Sequence, residues 1–325
     1  MEISVITVRH IRRFGIISFF MAAIGSPLLV RGQTPPLVDI LNNAVQKRAQ
    51  YLQEFQNLLS VETKTFRIFD TDGDVKKTRV VKSTFIIYRL TKGQDLASEF
   101  RNVLEVDGKK MPDAERRAED FFINILRSNS AAKEAERVRQ ESVRYDLDYF
   151  VDGSTLFQSV ALDDDLLPYF EFRLEGKDVF NGSNVYVIKF RQLRYCPFIA
   201  VNKRVDRNVD PRVSYNLDLR PNADYRERLT GQLLIDCNTF RIWSEERQMT
   251  VQPAEFPSPV VLAQDTFTFQ TSDFGILTPR TILHTQYELH EKERTSSKQG
   301  TVMFEYEKFT KPDVEVKGLK TADNN

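Results

Sequence analysis

The stretch Thr230–Val251, TGQLLIDCNTFRIWSEERQMTV, decides the fold that this sequence predicts. Leu233 and Ile235 point to one side of an extended strand, whereas Leu234 points to the other. The Asp, Asn and Thr side chains of residues 236–239 favour a turn because they bond to the nearby backbone. The stretch is therefore predicted to be a β-hairpin in the middle of one large antiparallel sheet, on which the rest of the chain is wrapped.

Strand patterns recur on both sides of this hairpin. They cover residues 61–69, 75–90, 100–106, 169–175, 185–192, 261–271, 280–290 and 301–309. Leu37–Leu59 instead places apolar residues at a helical period, which predicts an amphipathic helix packed on the sheet. Residues 194–222 are weakly patterned and contain three Pro, so an extended loop with one or two short strands is expected.

About ten strands in one sheet must curl. The predicted fold class is therefore α+β, with a large curved antiparallel β-sheet, an N-terminal helix and a helical flap. The flap consists of two polar helices, Asp113–Arg127 and Ala131–Val143, whose mixed charges are typical of a solvated face. It lies in an insertion, residues 111–165, of a single domain that spans residues 33–310. The polar tail, residues 311–325, is expected to be disordered.

Residues 1–32 have the pattern of a signal peptide. Three Arg precede the apolar run Phe14–Val30, and cleavage is expected after the small residue Gly32. The alternative is an uncleaved membrane anchor, although the 17 residues of this run are at the short limit of about 17–25 for a spanning helix. Pro27 weakens such a helix further. Cleavage predicts a periplasmic or secreted protein whose contact with a membrane is transient.

The charge balance argues against a nucleic-acid-binding surface. The full chain has 46 basic and 46 acidic residues, and residues 1–32 hold four of the former and one of the latter. The remaining chain has a net charge of −3 and no basic stripe for a phosphate backbone. The 24 Phe residues of the full chain supply enough apolar surface for a large core.

No catalytic or cofactor motif is present in the sequence. His284 and His290, the only histidines after residue 32, lie in one predicted strand about 20 Å apart, so these two alone cannot share a metal ion. No Gly-x-Ser-x-Gly elbow presents a nucleophile, and no glycine-rich loop follows a strand to hold a phosphate. We therefore predict no metal, cofactor or catalytic residue. A pair of carboxylates for hydrolysis stays open, because the sequence does not show how far apart acidic side chains lie.

Cys196 and Cys237 are the only cysteines, and in an exported chain they are candidates for a disulfide bond. Such a bond closes a loop of 41 residues, and it stabilises the fold by roughly 4 kcal/mol. The alternative is two separate buried thiols, which pack as small apolar side chains.

A sheet of this size has more apolar surface than one helix covers. Its side chains either close on one another as an ordinary core or leave an apolar hollow, in which a lipid chain gains about 0.8 kcal/mol per buried CH₂. The residues predicted to line such a hollow are Phe267, Phe269, Leu283, Tyr287, Phe304 and Tyr306.

The hairpin segment 231–239, GQLLIDCNT, resembles a segment of the outer-membrane lipoprotein carrier superfamily, the LolA-like half-barrels. That segment has the form Gly-x-hydrophobic-hydrophobic-Ile/Leu-Asp-x-x-Thr. The resemblance extends over residues 37–90 and 169–309, while residues 100–108 and 141–145 are similar to uncharacterised exported bacterial proteins. It implies an open half-barrel with helices over its hollow face, and a carrier of lipids or lipidated proteins.

The predicted function is non-catalytic binding of a lipid, an acyl chain or a lipidated protein in the hollow of the sheet. One alternative is an envelope interaction or sensor module, which contacts a protein partner through the charged flap. A second alternative is a carboxylate-dependent hydrolase, which requires a cleft with two close carboxyl groups and a perturbed pKa.

Overall fold

The computed structural model describes residues 34–88, 98–114, 116, 117, 120, 140, 143–147, 159–202, 212–217, 219, 225–254 and 256–311. Its elements lie in one compact unit, Pro36–Asn325. The elements within the described ranges are helix α1 (Leu37–Glu54) and the strands β1 (Leu58–Phe69), β2 (Val75–Tyr88), β3 (Ser98–Val106), β4 (Lys109–Lys110), β5 (Phe170–Phe180), β6 (Ser183–Gln192), β7 (Ile199–Val201), β8 (Val213–Tyr215), β9 (Tyr225–Asp236), β10 (Ile242–Pro253), β11 (Val260–Thr271), β12 (Leu277–His290) and β13 (Thr295–Tyr306).

Eleven strands form one antiparallel sheet in the order β4-β3-β2-β1-β13-β12-β11-β10-β9-β6-β5. Among the described strands β4 and β5 are its edges, so the sheet is open rather than closed into a barrel. This confirms the predicted α+β class, with a large antiparallel sheet and an N-terminal helix. The strands β7 and β8 form a separate parallel pair, within the segment predicted to be a loop with short strands.

The hairpin β9–β10 has the predicted turn. Asp236 Oδ1 accepts the N–H groups of Asn238 and Thr239 at 2.9 and 2.8 Å, and Trp243 Nε1 donates to Asp236 Oδ2 at 3.0 Å. Partial burial acts to raise the pKa of Asp236, but these bonds lower the pKa below its ordinary value. The hairpin is not in the middle of the sheet, however. It lies two strands from the β5 edge, because β1–β4 extend the sheet beyond β13 and make β12 the central strand.

Gly231 in β9 has a packing role. It pairs with Phe190 of β6 on one side and with Arg247 of β10 on the other. A Cβ atom at this position would lie 2.4 Å from the Phe190 ring and 2.0 Å from the carbonyl oxygen of Glu246. A glycine is therefore needed here, since the ring of Phe190 occupies the space of a side chain.

Helix α1 covers one face of the sheet, which we call the covered face. Its buried residues recur at helical spacing and are Ile40, Ala44, Arg48 and Tyr51. The helix ends at Glu54 and not at the predicted Leu59, because Leu58 and Leu59 already pair with β2 as part of β1. The apolar period of the helix runs into the strand without interruption, which hides the boundary in the sequence.

Cys196 and Cys237, the two candidates for a disulfide bond, are free thiols in this structure. The N–H of Cys237 donates to Asn184 near the start of β6, whereas Cys196 follows the end of β6 at Gln192. The strand between these two points is roughly 26 Å long, while the Cα atoms of a disulfide lie less than about 7 Å apart. The two thiols therefore lie toward opposite ends of one strand.

Several predictions fall outside the described residues. They concern the signal peptide 1–32, most of the flap 113–143 and the tail beyond residue 311. No helix in the described part of the chain is both long and apolar enough to cross a membrane.

Candidate ligand-binding face beneath helix α1

Four of the six predicted lining residues meet in one buried apolar cluster on the covered face. They are Phe267 and Phe269 of β11 and Phe304 and Tyr306 of β13. The intervening strand β12 adds Ile282, which pairs with both Phe267 and Phe304. Three neighbouring strands thus present a continuous apolar surface.

Leu283 and Tyr287 lie apart from this cluster. Leu283 pairs with Thr266 and Met303, in the row that faces away from the covered face. Tyr287 follows a register shift in β12 and packs, half-buried, against a second apolar cluster. The sequence does not show which of Ile282 and Leu283 lies on the covered face, because the two residues are equally apolar.

Aromatic rings close the first apolar cluster from above. We define the aromatic cluster by its ring contacts as Tyr51, Phe55, Phe85, Phe269, Tyr306 and Phe309. The Tyr51 and Phe269 ring centroids are 6.0 Å apart, and those of Phe55 and Phe309 are 5.5 Å apart. Three rings of the sheet are therefore covered by Tyr51 of α1 and by Phe309, which follows β13. Phe55, the residue after α1, packs on both of these covering rings.

A second apolar cluster lies beneath the first half of α1. It joins Ile40 and Ala44 of the helix to Leu233 of β9 and Ile188 of β6. The 3₁₀ turn Val160–Leu162 completes it from above. The covered face thus has two apolar regions under one helix.

A polar band separates the two apolar clusters. Along β11, three successive buried residues on the covered face are Ala263 of the second cluster, then Asp265, then Phe267 of the first cluster. The neighbouring strands place Arg247 and His284 directly beside Asp265. Buried Arg247, Asp265 and His284 thus form a row across three neighbouring strands, and this row lies between the two apolar clusters.

Asp265 is well satisfied within this band. Its Oδ1 lies 2.6 Å from His284 Nδ1, and its Oδ2 accepts the hydroxyl of Tyr215 at 3.1 Å. Burial acts to raise the pKa of Asp265, but His284, Arg247 and Tyr215 together lower the pKa below its ordinary value. Burial also raises the pKa of Tyr215 well above its ordinary value.

Glu245 and Arg247 of β10 are less well satisfied. Arg247 Nε lies 3.7 Å from Glu245 Oε1 and 3.8 Å from Asp265 Oδ2, which is beyond hydrogen-bond distance. Burial raises the pKa of Glu245, an effect that exceeds the opposing attraction of Arg247. The pKa values of Glu245 and Asp265 are thus shifted in opposite directions, as in acid–base pairs, although both carboxylates are enclosed by the covering segments.

A second group of buried charged side chains belongs to β1 and β3. Arg101 donates from Nε and Nη2 to the two carboxylate oxygens of Glu62, at 2.7 and 2.9 Å, and from Nη1 to Glu99 at 2.9 Å. Lys64 pairs with Asp146 in the segment 143–147. Burial lowers the pKa of Lys64 and raises that of Asp146, although their mutual attraction opposes both shifts.

Charged groups attach the covering segments to the sheet and to each other. Arg48 of α1 donates to Asp163 at 2.9 Å, and the N–H of Ser159 donates to Glu245 Oε2 at 2.5 Å. With the Lys64–Asp146 pair, these contacts hold the helix and two loop segments over the covered face.

The opposite face of the sheet carries an open cleft of 560 Å³. It is lined mainly by charged and amide side chains of β5, β6, β9 and β10, and none of the six predicted lining residues borders it. On the covered face the predicted residues are instead in contact with other side chains.

The polar band is not among the features predicted from the sequence, although a signal for it exists. Asp265 occupies the same alternating phase as Ala263 and Phe267, so a charge stands in a row of apolar residues. His284 has Asp265 as its partner, and His290 lies 2.6 Å from Ser297, so neither histidine acts with the other. A charged residue at one of the alternate strand positions that are otherwise apolar is therefore the sequence pattern that predicts such a band.

No family model matches the chain, and no curated protein matches it in sequence. Among solved structures, a DUF1329 family protein from Desulfovibrio piger aligns over 87% of this chain and 95% of its own, with 10% identity and a TM-score of 0.32. A LolA superfamily protein from Nitrosomonas europaea covers 84% and 94%, with 8% identity and a TM-score of 0.29. The lipoprotein LppX from Mycobacterium tuberculosis covers 85% and 98%, with 10% identity and a TM-score of 0.25.

The resemblance to LolA-like proteins expected from the sequence thus has counterparts among solved structures. The fold stated above rests on the strand order of this chain.

Proposed function

We propose that the covered face binds one apolar chain, from a lipid, an acyl group or a lipidated protein, and performs no catalysis. The aromatic cluster is the observation that supports this proposal best. Its sheet rings, Phe85, Phe269 and Tyr306, are covered by Tyr51 of α1 and by Phe309. A chain that displaces this cover meets a continuous apolar surface.

The cover consists of Tyr51, Phe55 and Phe309, and the ligand competes with these side chains for the apolar surface of the sheet. An acyl chain gains about 0.8 kcal/mol for each buried CH₂, whereas exposing one large apolar side chain costs about 1.5–3 kcal/mol. A few CH₂ groups offset each displaced ring, so long chains bind and short ones do not. No side chain caps the N-terminus of α1, where Pro36 precedes the helix, and this favours movement of that end.

Residues 33–310 act as one binding domain, in the periplasm or as a secreted protein, after residues 1–32 are removed. Its partner is a lipid or a lipoprotein. The polar tethers Arg48–Asp163 and Lys64–Asp146 limit how far the cover opens and return it when the ligand leaves.

The test is displacement of a hydrophobic fluorescent dye by palmitate from the chain that starts at residue 33. We expect palmitate to displace the dye from the wild type. We expect Phe55→Ala and Phe309→Ala to bind palmitate roughly tenfold more tightly, because each removes a ring that competes with the ligand.

Val179→Ala is the matched control, since Val179 is an exposed apolar residue near the end of β5. It should leave the affinity unchanged. The proposal is wrong if folded wild type and both variants release no dye to palmitate, or if the control gains as much affinity as Phe55→Ala.

A further inference from the structure

Four buried polar atoms without a hydrogen-bond partner lie together in the polar band. They are Ser159 Oγ, Glu245 Oε1, Arg247 Nε and Arg247 Nη1, counted over the residues that the structure describes. The three residues are adjacent, because the N–H of Ser159 donates to Glu245 Oε2 at 2.5 Å and Glu245 Oε1 is 3.7 Å from Arg247 Nε. Buried polar atoms are normally satisfied, so such a concentration indicates a site for a polar group.

The charges of the site decide which group fits. Arg247 has the carboxylates of Glu245 and Asp265 on either side. An anionic ligand would therefore approach two negative charges for one positive charge, which is unfavourable in a buried site. The unused donors of Arg247 and Ser159 and the unused acceptor of Glu245 together suit an uncharged group that both accepts and donates hydrogen bonds.

The site borders the apolar surface of the proposed ligand. The guanidinium of Arg247 lies over the ring of Phe267, with its Cζ 4.4 Å from the ring centroid. Phe267 belongs to the same apolar cluster as the rings beneath the second half of α1. A head group bonded to Arg247 thus places the chain that follows it on the first apolar cluster.

We propose that Ser159, Glu245 and Arg247 bind the neutral polar head of an acyl ligand, an ester or amide carbonyl with a neighbouring hydroxyl or N–H, as in a monoacylglycerol or an N-acyl amide. This inference rests on the proposed function and adds the class of ligand. The carbonyl accepts hydrogen bonds from Arg247, and the hydroxyl or N–H donates to Glu245.

The test compares three ligands with the same chain: monopalmitoylglycerol, methyl palmitate and palmitate. We expect the glycerol ester to bind to the wild type about tenfold more tightly than the methyl ester, as one or two added hydrogen bonds imply. We expect Arg247→Met to weaken the binding of both esters by a similar factor of about ten, because both have the carbonyl that accepts from Arg247. We expect Glu245→Gln to raise the affinity for palmitate, because it removes a charge that repels the carboxylate.

Ser159→Gly provides a second variant that folds readily, since Ser159 has a φ of 52° and glycine adopts this conformation without strain. This variant should lower the preference for the glycerol ester over the methyl ester. If Arg247→Met does not fold, Ser159→Gly still tests the head-group site. Equal binding of all three ligands, an unchanged preference in Ser159→Gly, or an unchanged affinity of folded Arg247→Met for both esters overturns this inference and leaves the proposed function intact. Failure of all three ligands to bind overturns both.

Discussion

Arg101 and Arg247 are both buried on the covered face, with exposed fractions of 7% and 4%, yet the protein holds them differently. Arg101 has hydrogen bonds of 2.7–2.9 Å to Glu62 and Glu99 from three of its nitrogens. Arg247 reaches its nearest carboxylate oxygens only at 3.7 and 3.8 Å. Burial alone therefore does not show what an arginine does, whereas the satisfaction of its donors separates a structural pair from a candidate binding group.

The energetic reason for this difference is desolvation. A buried charge loses its hydration, and close hydrogen bonds are needed to offset that loss. The pair of Arg101 and Glu62 has them. The buried Nε and Nη1 donors of Arg247 have none from the described chain, so part of the desolvation stays uncompensated.

The largest expected effect comes from breaking the satisfied pair. Arg101→Met leaves Glu62 buried without its bidentate partner, and removal of one member of a buried pair typically costs about 3–5 kcal/mol. We expect a loss of about 4 kcal/mol in the free energy of unfolding, measured by urea denaturation. A loss below about 1 kcal/mol would show that the pair does not fix the fold.

Arg247→Met is the matched substitution in the polar band, and we expect a smaller loss of about 1–2 kcal/mol. Met keeps the contact with Phe267, while Asp265 retains His284 and Tyr215 as partners. The same urea experiment measures it. A loss as large as that of Arg101→Met would assign Arg247 to the structure rather than to a ligand.

The pH dependence of stability sharpens the comparison further. Burial raises the pKa of Glu245 above its ordinary value of 4.5, against the attraction of Arg247 and Arg48 and the N–H bond from Ser159, while Asp265 adds to the rise. A carboxylate with a raised folded-state pKa contributes stability below its unfolded pKa, and this contribution is lost as the pH rises through the folded pKa.

Glu245→Gln removes this titration. We therefore expect the stability of the variant relative to the wild type to increase as the pH rises from about 4.5 toward neutrality, because only the wild type must bury a newly formed charge. Urea midpoints measured across this range provide the comparison. A constant difference between the two proteins would show that Glu245 does not titrate there.

The sequence predicts the sheet because strand alternation and turn chemistry are local properties. The turn at Asp236 and the helix that starts at Leu37 follow from neighbouring residues alone. The face of β12 does not follow, since Ile282 and Leu283 are equally apolar and only the register with β11 and β13 separates them. The polar band is not predicted for the same reason, because its charges come from strands whose pairing the sequence does not show.

The smallest effect is expected for an exposed arginine that makes a single short bond to a carboxylate. Arg191 donates to Glu171 at 2.5 Å, but the two side chains are 67% and 53% exposed on the opposite face of the sheet. Exposed ion pairs contribute about 0–1 kcal/mol, since water solvates both partners and salt screens them. Arg191→Met should therefore change the free energy of unfolding by less than about 0.5 kcal/mol, and less still in high salt. A loss near that of Arg101→Met would mean that the substitution to Met itself, and not the burial and satisfaction of the guanidinium, sets the order of the three arginines.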